Sequence, residues 1–328
     1  MDNIPTLLEL IAQRKKENSK PGSRNDPYKL ALVAEDGSQR WVVAGGFGAA
    51  LEAMNILPDL IVGTSGGGIG AIYMATGSVA RGCTTVRYLN HAGYHRDGKL
   101  PKLITPTNLM RRKPIMDVHS LVHTVFSHKV PIDWDALRVS PVQVFLTATH
   151  REKEDTILQP LNSVPETIQK EALINTARIP MVAHSIMDKN VMWDGMLSAP
   201  IPVQEALSLG ATHIIVIRCK GAHAKGENLS WVENIINTIL KYRAPDLHQR
   251  MRGRHKKRAE AKTITKEMET EGRALTLQLP HVAIGPAEMR EDRLFRTMAA
   301  AYQHVPKVLG ESPLPWPSEW TDLVEEHL

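Results

Sequence analysis

The stretch that decides the fold runs Asp59-Leu60-Ile61-Val62-Gly63-Thr64-Ser65-Gly66-Gly67-Gly68, and small and apolar residues continue it from 69 to 75. Residues 59–62 form a short apolar run closed by glycine, which suits a buried strand. Residues 69–75 carry a helical pattern. Between them, Gly63-Thr64-Ser65-Gly66-Gly67 fits the nucleophile elbow G-x-S-x-G in the strand-to-helix setting that its mechanics require. Such a turn lifts the serine hydroxyl above the sheet, and the flanking glycines let neighbouring backbone and substrate approach closely. The amides and positive dipole end of the following helix favour negative charge developing there. The competing reading is a glycine-rich turn that binds phosphate without covalent chemistry; the nucleophile fits better.

Working outward, residues 29–34 suit a second buried strand and 44–54 a helix with two early glycines, Gly45 and Gly46. Further on, 142–147 and 213–217 are apolar runs of strand length, and 204–209 is the helix feeding the latter, closed by Gly210. Strand alternating with helix argues for βαβ units. The expected fold class is therefore α/β, a three-layer α/β/α domain with a mainly parallel central sheet. Residues 5–16 are expected to pack as a helix on the outside. Prolines at 101, 106, 114 and 131 break the pattern between 77 and 141, a region expected to form a lid or substrate wall. Beyond 222 the chain turns charged and helical, with a strand expected at 274–279, a helix at 292–304 and a surface tail at 313–317. The expected organisation is 1–25 as an amino-terminal helix and linker, 26–221 as the catalytic domain and 222–328 as a helical carboxy-terminal extension.

Composition narrows the class. Of 328 residues, 42% are hydrophobic and 23% charged, the balance of an ordinary folded domain. Two cysteines, Cys83 and Cys219, exclude a disulfide framework and a cysteine-based metal knuckle. The early Asp2 and the run Gln13-Arg14-Lys15-Lys16-Glu17 are unlike a secretory signal, and no apolar stretch has spanning length, so a cytoplasmic location is expected. The histidines lack metal-ligand spacing, so neither metal nor organic cofactor is expected. The net charge of +5 is concentrated in Arg250-Met251-Arg252-Gly253-Arg254-His255-Lys256-Lys257-Arg258, with acidic residues resuming at Glu260. A solvated helix face is the first reading of that run; a peripheral contact with anionic lipid or an acyl carrier is the second. Nucleic acid is not an expected partner, and oligomeric state leaves no signal in the sequence.

A serine hydroxyl is inert at neutral pH without a base. His213 opens an apolar strand, where a structural role is expected, and His223 lies in the polar stretch 221–224. Asp194-Gly195, after the short apolar stretch 191–193, would alone be read as a turn.

Taken together, the residues resemble the patatin-like acyl hydrolases. Leu30 to Val33 is similar to that family's first strand, Gly63 to Gly67 to its elbow, and Asp194-Gly195 to its D-G dipeptide; Pro200-Ile201-Pro202 follows as in the family. Gly22 after Ser19-Lys20-Pro21 and the charged 250–272 stretch resemble a bacterial subgroup with a helical carboxy-terminal extension. The resemblance implies a Ser65–Asp194 dyad without histidine, working through an acyl-enzyme. A carboxylate shielded from water has a raised pKa and can accept the serine proton and return it to the leaving group.

The resemblance also implies an oxyanion loop over Glu35 to Trp41, in which Asp36-Gly37-Ser38-Gln39-Arg40-Trp41 stands where the family's glycine motif does, with the amides of Gly37 and Ser38 holding the anion. Here Asp36, Ser38 and Trp41 replace family glycines. A non-glycine residue resists positive φ and can turn its amide away, and losing one donor costs about 3 kcal/mol in the transition state. Asp36 would oppose the anion unless it points away or pairs with Arg40, while Trp41 would fill space for an acyl chain; Gly66 and Gly195 complete the candidate surroundings. Three readings follow: hydrolysis of acyl lipids or other esters, a repurposed enzyme acting on a small or carrier-bound acyl thioester, and a non-catalytic binding protein.

Overall fold

The computed structural model describes residues 4–91, 103–105, 108, 114–152, 156–188, 191–223 and 231–328. Its core is a seven-stranded, mostly parallel sheet. The strands are β1 (Leu30–Ala34), β2 (Leu60–Gly63), β3 (Gln143–Thr149), β4 (Thr156–Pro160), β5 (Trp193–Asp194), β6 (His213–Arg218) and β7 (Ala274–Gln278). They run in the order β4-β3-β2-β1-β6-β7, with β5 on β3. The pairings β1–β2, β1–β6, β2–β3 and β6–β7 are parallel, whereas β4 and β5 pair antiparallel with β3.

Helices α1 (Leu7–Lys16), α2 (Trp41–Ala53), α3 (Ser65–Ile72), α4 (Val79–Cys83), α5 (Val118–Ser120) and α6 (Trp134–Val139) belong to the first half of the chain. The second half contributes α7 (Glu166–Thr176), α8 (Val203–Ser208), α9 (Trp231–Arg243), α10 (Pro245–Thr270), α11 (Glu291–Leu309) and α12 (Thr321–His327). Side chains alternate across a strand, and the layers follow from that. Leu30, Leu32, Ala34 and Ile61 face a core shared with α2 and α11, while Ala31, Val33, Leu60 and Val62 face one shared with α8 and α10. Both faces are covered, which is why these strands read as continuous apolar runs.

The elements expected from sequence occur with small shifts at their ends. The helix expected at 44–54 begins at Trp41, and the one expected at 69–75 begins at Ser65 itself. The antiparallel β4 and helix α7 were not expected. Parts of the expected lid, 92–102, 106–107 and 109–113, lie outside the described residues. In its described parts, Leu121–Lys129 forms a π-helix after α5. The carboxy-terminal region supplies β7 to the sheet and packs α11 on α2. Residues 313–317 lie along the surface as expected, but the next turn buries Trp320, whose Nε1 donates to the Ala80 carbonyl at 2.8 Å.

Helix α1 is fixed by its Thr6–Glu9 capping box and by Arg14, which pairs with Asp26 and Asp59 at 2.8 Å each. His213 is buried and hydrogen-bonds the Pro5 carbonyl at 2.8 Å, the structural role expected of it. Among the described residues no helix is long and apolar enough to cross a membrane.

Candidate active site

Sheet register explains how two residues far apart in the chain meet. One edge of β3 is occupied from Phe145 to Thr149 by β4. Its other edge carries β2 only as far as Leu146, because β2 ends at Gly63. Past that end, β5 takes up the vacated edge at Ala148 and Thr149. Asp194 on β5 is thereby set next to the turn that follows β2, where Ser65 stands. The Ser65 hydroxyl donates to Asp194 Oδ2 at 2.8 Å.

Ser65 opens α3 with φ +54, the left-handed region that costs a non-glycine residue roughly 1–3 kcal/mol. Surrounding contacts hold it there. Its amide donates to Thr176 Oγ1 at 2.9 Å, at the end of α7. A Cβ at Gly66 would stand 2.3 Å from the Ser38 carbonyl oxygen, and one at Gly67 only 1.8 Å from that of Glu35, so both positions must be glycine for the loop after β1 to lie over the elbow. Gly195 has the same kind of reason, since its Cβ would fall 2.0 Å from Thr147 Oγ1.

Asp194 is fully buried. Its Oδ1 accepts the Met196 amide at 2.8 Å, and its carbonyl accepts the Thr149 hydroxyl at 2.9 Å. Burial raises its pKa to about 8; the hydrogen bonds from Met196 and Ser65 work against that rise without cancelling it. No histidine hydrogen-bonds Ser65 or Asp194 among the described residues.

The loop after β1 departs from expectation in an informative way. Ser38 adopts positive φ, +48, although it is not glycine. Its hydroxyl donates to the Pro286 carbonyl at 2.7 Å, and the Gln39 amide reaches the same oxygen at 3.3 Å. The amides of Gly37 and Ser38 have no acceptor among the described residues. Asp36 does not pair with Arg40: its carboxylate meets Arg258 of α10, and Arg40 Nε donates to the Ile284 carbonyl at 3.1 Å. Glu35 sits between Arg218 Nε at 2.9 Å and Arg258 Nη1 at 2.8 Å. Burial opposes ionisation of Glu35, but Arg218 and Arg258 outweigh it and hold its pKa below the usual value; for Asp36 burial prevails and raises it.

The basic run 250–258 is accordingly not a wholly solvated face. Arg254 and Arg258 belong to the stripe Leu247, Met251, Arg254, Arg258, Ala261, Thr265 and Met268 that α10 buries, leaving Arg252, Lys256 and Lys257 exposed. Sequence reasoning gave no role to Thr176 or Arg218, took Glu35 only as the start of the oxyanion loop and read Arg258 only as part of the basic run. The alternating four- and three-residue spacing of that stripe was the one signal that could have placed Arg258 inside.

An apolar cavity with about 40 Å³ for water-sized molecules adjoins Ser65, walled by Trp41, Ile69, Leu89, Met116, Leu121 and Phe126. Buried Gln39 also lines it, with no hydrogen-bond partner for its Oε1 among the described residues. A larger groove of about 260 Å³ between α10 and the β6–β7 edge is lined by Lys262, Glu269, Thr276 and Gln278 among others. That groove is mixed in polarity and does not include Ser65, whereas the smaller cavity is almost wholly apolar and does. A family model described as patatin-like phospholipase matches residues 37–207, a stretch that contains Gly37, Ser65 and Asp194. No curated protein matches the chain.

Proposed function

Since the chain belongs to the patatin-like phospholipase family, whose members act on lipid acyl substrates, we propose that it is a serine acyl hydrolase with Ser65 as nucleophile and Asp194 as its base. The observation that carries this reading is the 2.8 Å hydrogen bond from the Ser65 hydroxyl to a carboxylate shielded from water. Ser65 Oγ attacks the acyl carbonyl carbon while its proton passes to Asp194 Oδ2. The carbonyl π electrons move onto oxygen, and the amides of Gly37 and Ser38 receive that oxyanion. Collapse breaks the ester bond, the leaving oxygen takes the proton from Asp194, and the acyl group stays on Ser65. Water then repeats the sequence and releases the acid.

Trp41 on the wall of the apolar cavity, where the family has glycine, favours a small acyl group, whether in an ester or a carrier-bound thioester, over a long fatty chain. Exposed Arg252, Lys256 and Lys257 are the part of the basic run left to meet an anionic lipid surface or acyl carrier. Two unpaired, buried cysteines accord with a reducing compartment, so the reading places the enzyme in the cytoplasm. The proposed organisation keeps 26–221 as the unit that carries Ser65 and Asp194, with 1–25 packed on it and 222–328 adding β7 to its sheet and helices to its faces.

Labelling with a fluorophosphonate tests the reading. The native chain is expected to label at Ser65, Ser65→Ala not at all, and Asp194→Asn far more slowly. Absence of Ser65-dependent label would leave the binding-protein alternative standing.

A further inference from the structure

We propose that Arg258 is a positioning residue for the oxyanion loop, so that a helix beyond the matched stretch 37–207 sets the catalytic geometry; this rests on the Ser65–Asp194 reading above. A loop rich in glycine can turn its own peptides toward an anion. This loop has Asp36, Ser38 and Trp41 instead, and its shape is imposed from outside.

The peptide joining Asp36 to Gly37 carries the Gly37 amide, so whatever fixes residue 36 aims that amide. Residue 36 is fixed at two points: its amide donates to the Pro200 carbonyl at 3.0 Å, and its carboxylate is held by Arg258 Nη2. Residue 35 is fixed likewise, its amide on the Ile217 carbonyl at 3.0 Å and its carboxylate among Arg218, Arg258 and the Cys219 amide, the last at 2.9 Å. Arg218 reaches only Glu35, whereas Arg258 bridges both carboxylates with one planar fork. Arg258 is 2% exposed, so both carboxylates meet its guanidinium away from bulk water. On the far side of the loop, Ser38 and Arg40 are tied to the Pro286 and Ile284 carbonyls. Every one of these outside holds except Pro200 comes from residues after 207.

The test uses the full chain and measures the rate at which a fluorophosphonate labels Ser65, kcat and KM on a p-nitrophenyl butyrate series, and thermal melting. Lysine keeps the charge but cannot span both carboxylates, so Arg258→Lys is expected to stay folded and label roughly 10- to 100-fold more slowly, short of the loss seen when an oxyanion donor is removed outright. Arg258→Gln should be slower still, and in both variants the loss should fall on kcat at temperatures well below melting, which a merely structural role would not produce. Asp36→Asn, which leaves the Arg258–Glu35 pair intact, should match Arg258→Lys, with the loss in kcat and KM changed by less than about threefold. Full-rate labelling of either folded variant overturns the proposal. If Arg258→Lys fails to fold, Asp36→Asn decides alone. If the native chain shows no Ser65-dependent label, the Ser–Asp reading falls first and takes this proposal with it.

Discussion

Asp194 gives the sharpest test, because its burial forces a particular pH dependence. With a pKa of about 8, about 1% of Asp194 is ionised at pH 6, about 10% at pH 7 and about 90% at pH 9. Only the ionised form can take the Ser65 proton, so the labelling rate, followed from pH 5.5 to 9.5, should climb about tenfold per unit below pH 8 and level off above it. The whole rise from pH 6 to pH 9 is on the order of 90-fold.

Stability should run the opposite way. The folded pKa lies above the unfolded value, so the folded state keeps a proton that the unfolded chain releases. The contribution is fully present below about pH 4 and declines as pH rises toward 8, by at most on the order of 6 kcal/mol. Asp194→Asn carries no such penalty. It should melt close to the native chain at pH 5 and above it at pH 9, while losing roughly 100-fold or more in labelling rate. A labelling rate flat from pH 6 to pH 9, or a midpoint near 6.5 that shifts when a histidine is replaced, would refute the reasoning.

Gly195→Ala places a methyl 2.0 Å from Thr147 Oγ1 and must displace β5, so Ser65 labelling should drop well over tenfold, with melting lowered by a strain of about 1–3 kcal/mol. Gln39→Leu removes a buried carbonyl oxygen that has no partner among the described residues; its melting temperature should hold or rise, and a fall would show that the carboxamide is satisfied. Trp41→Ala enlarges the cavity beside Ser65 and should move the preferred p-nitrophenyl ester toward longer acyl chains, an outcome checked by kcat/KM from two to twelve carbons.

How far the sequence reached depends on the range of each interaction. The elbow was legible because strand, turn and helix are contiguous, and the glycines that its close approaches demand stand beside Ser65 itself. The alternation of apolar runs and helical patterns likewise announced a parallel sheet covered on both faces. Asp194-Gly195 was found through its company in the chain, since a two-residue strand carries almost no pattern of its own.

Register decided the rest. That β2 stops at Gly63 while β3 runs on to Thr149 is what opens an edge for β5 and brings carboxylate to hydroxyl. The loop after β1 looked degenerate in sequence because glycine content reports only what a peptide can do unaided. Its holds come from Arg218, Arg258, Ile284 and Pro286, contacts made across more than 180 residues of chain. Local propensity cannot encode such contacts; they exist only once the sheet has formed and α10 lies across its face.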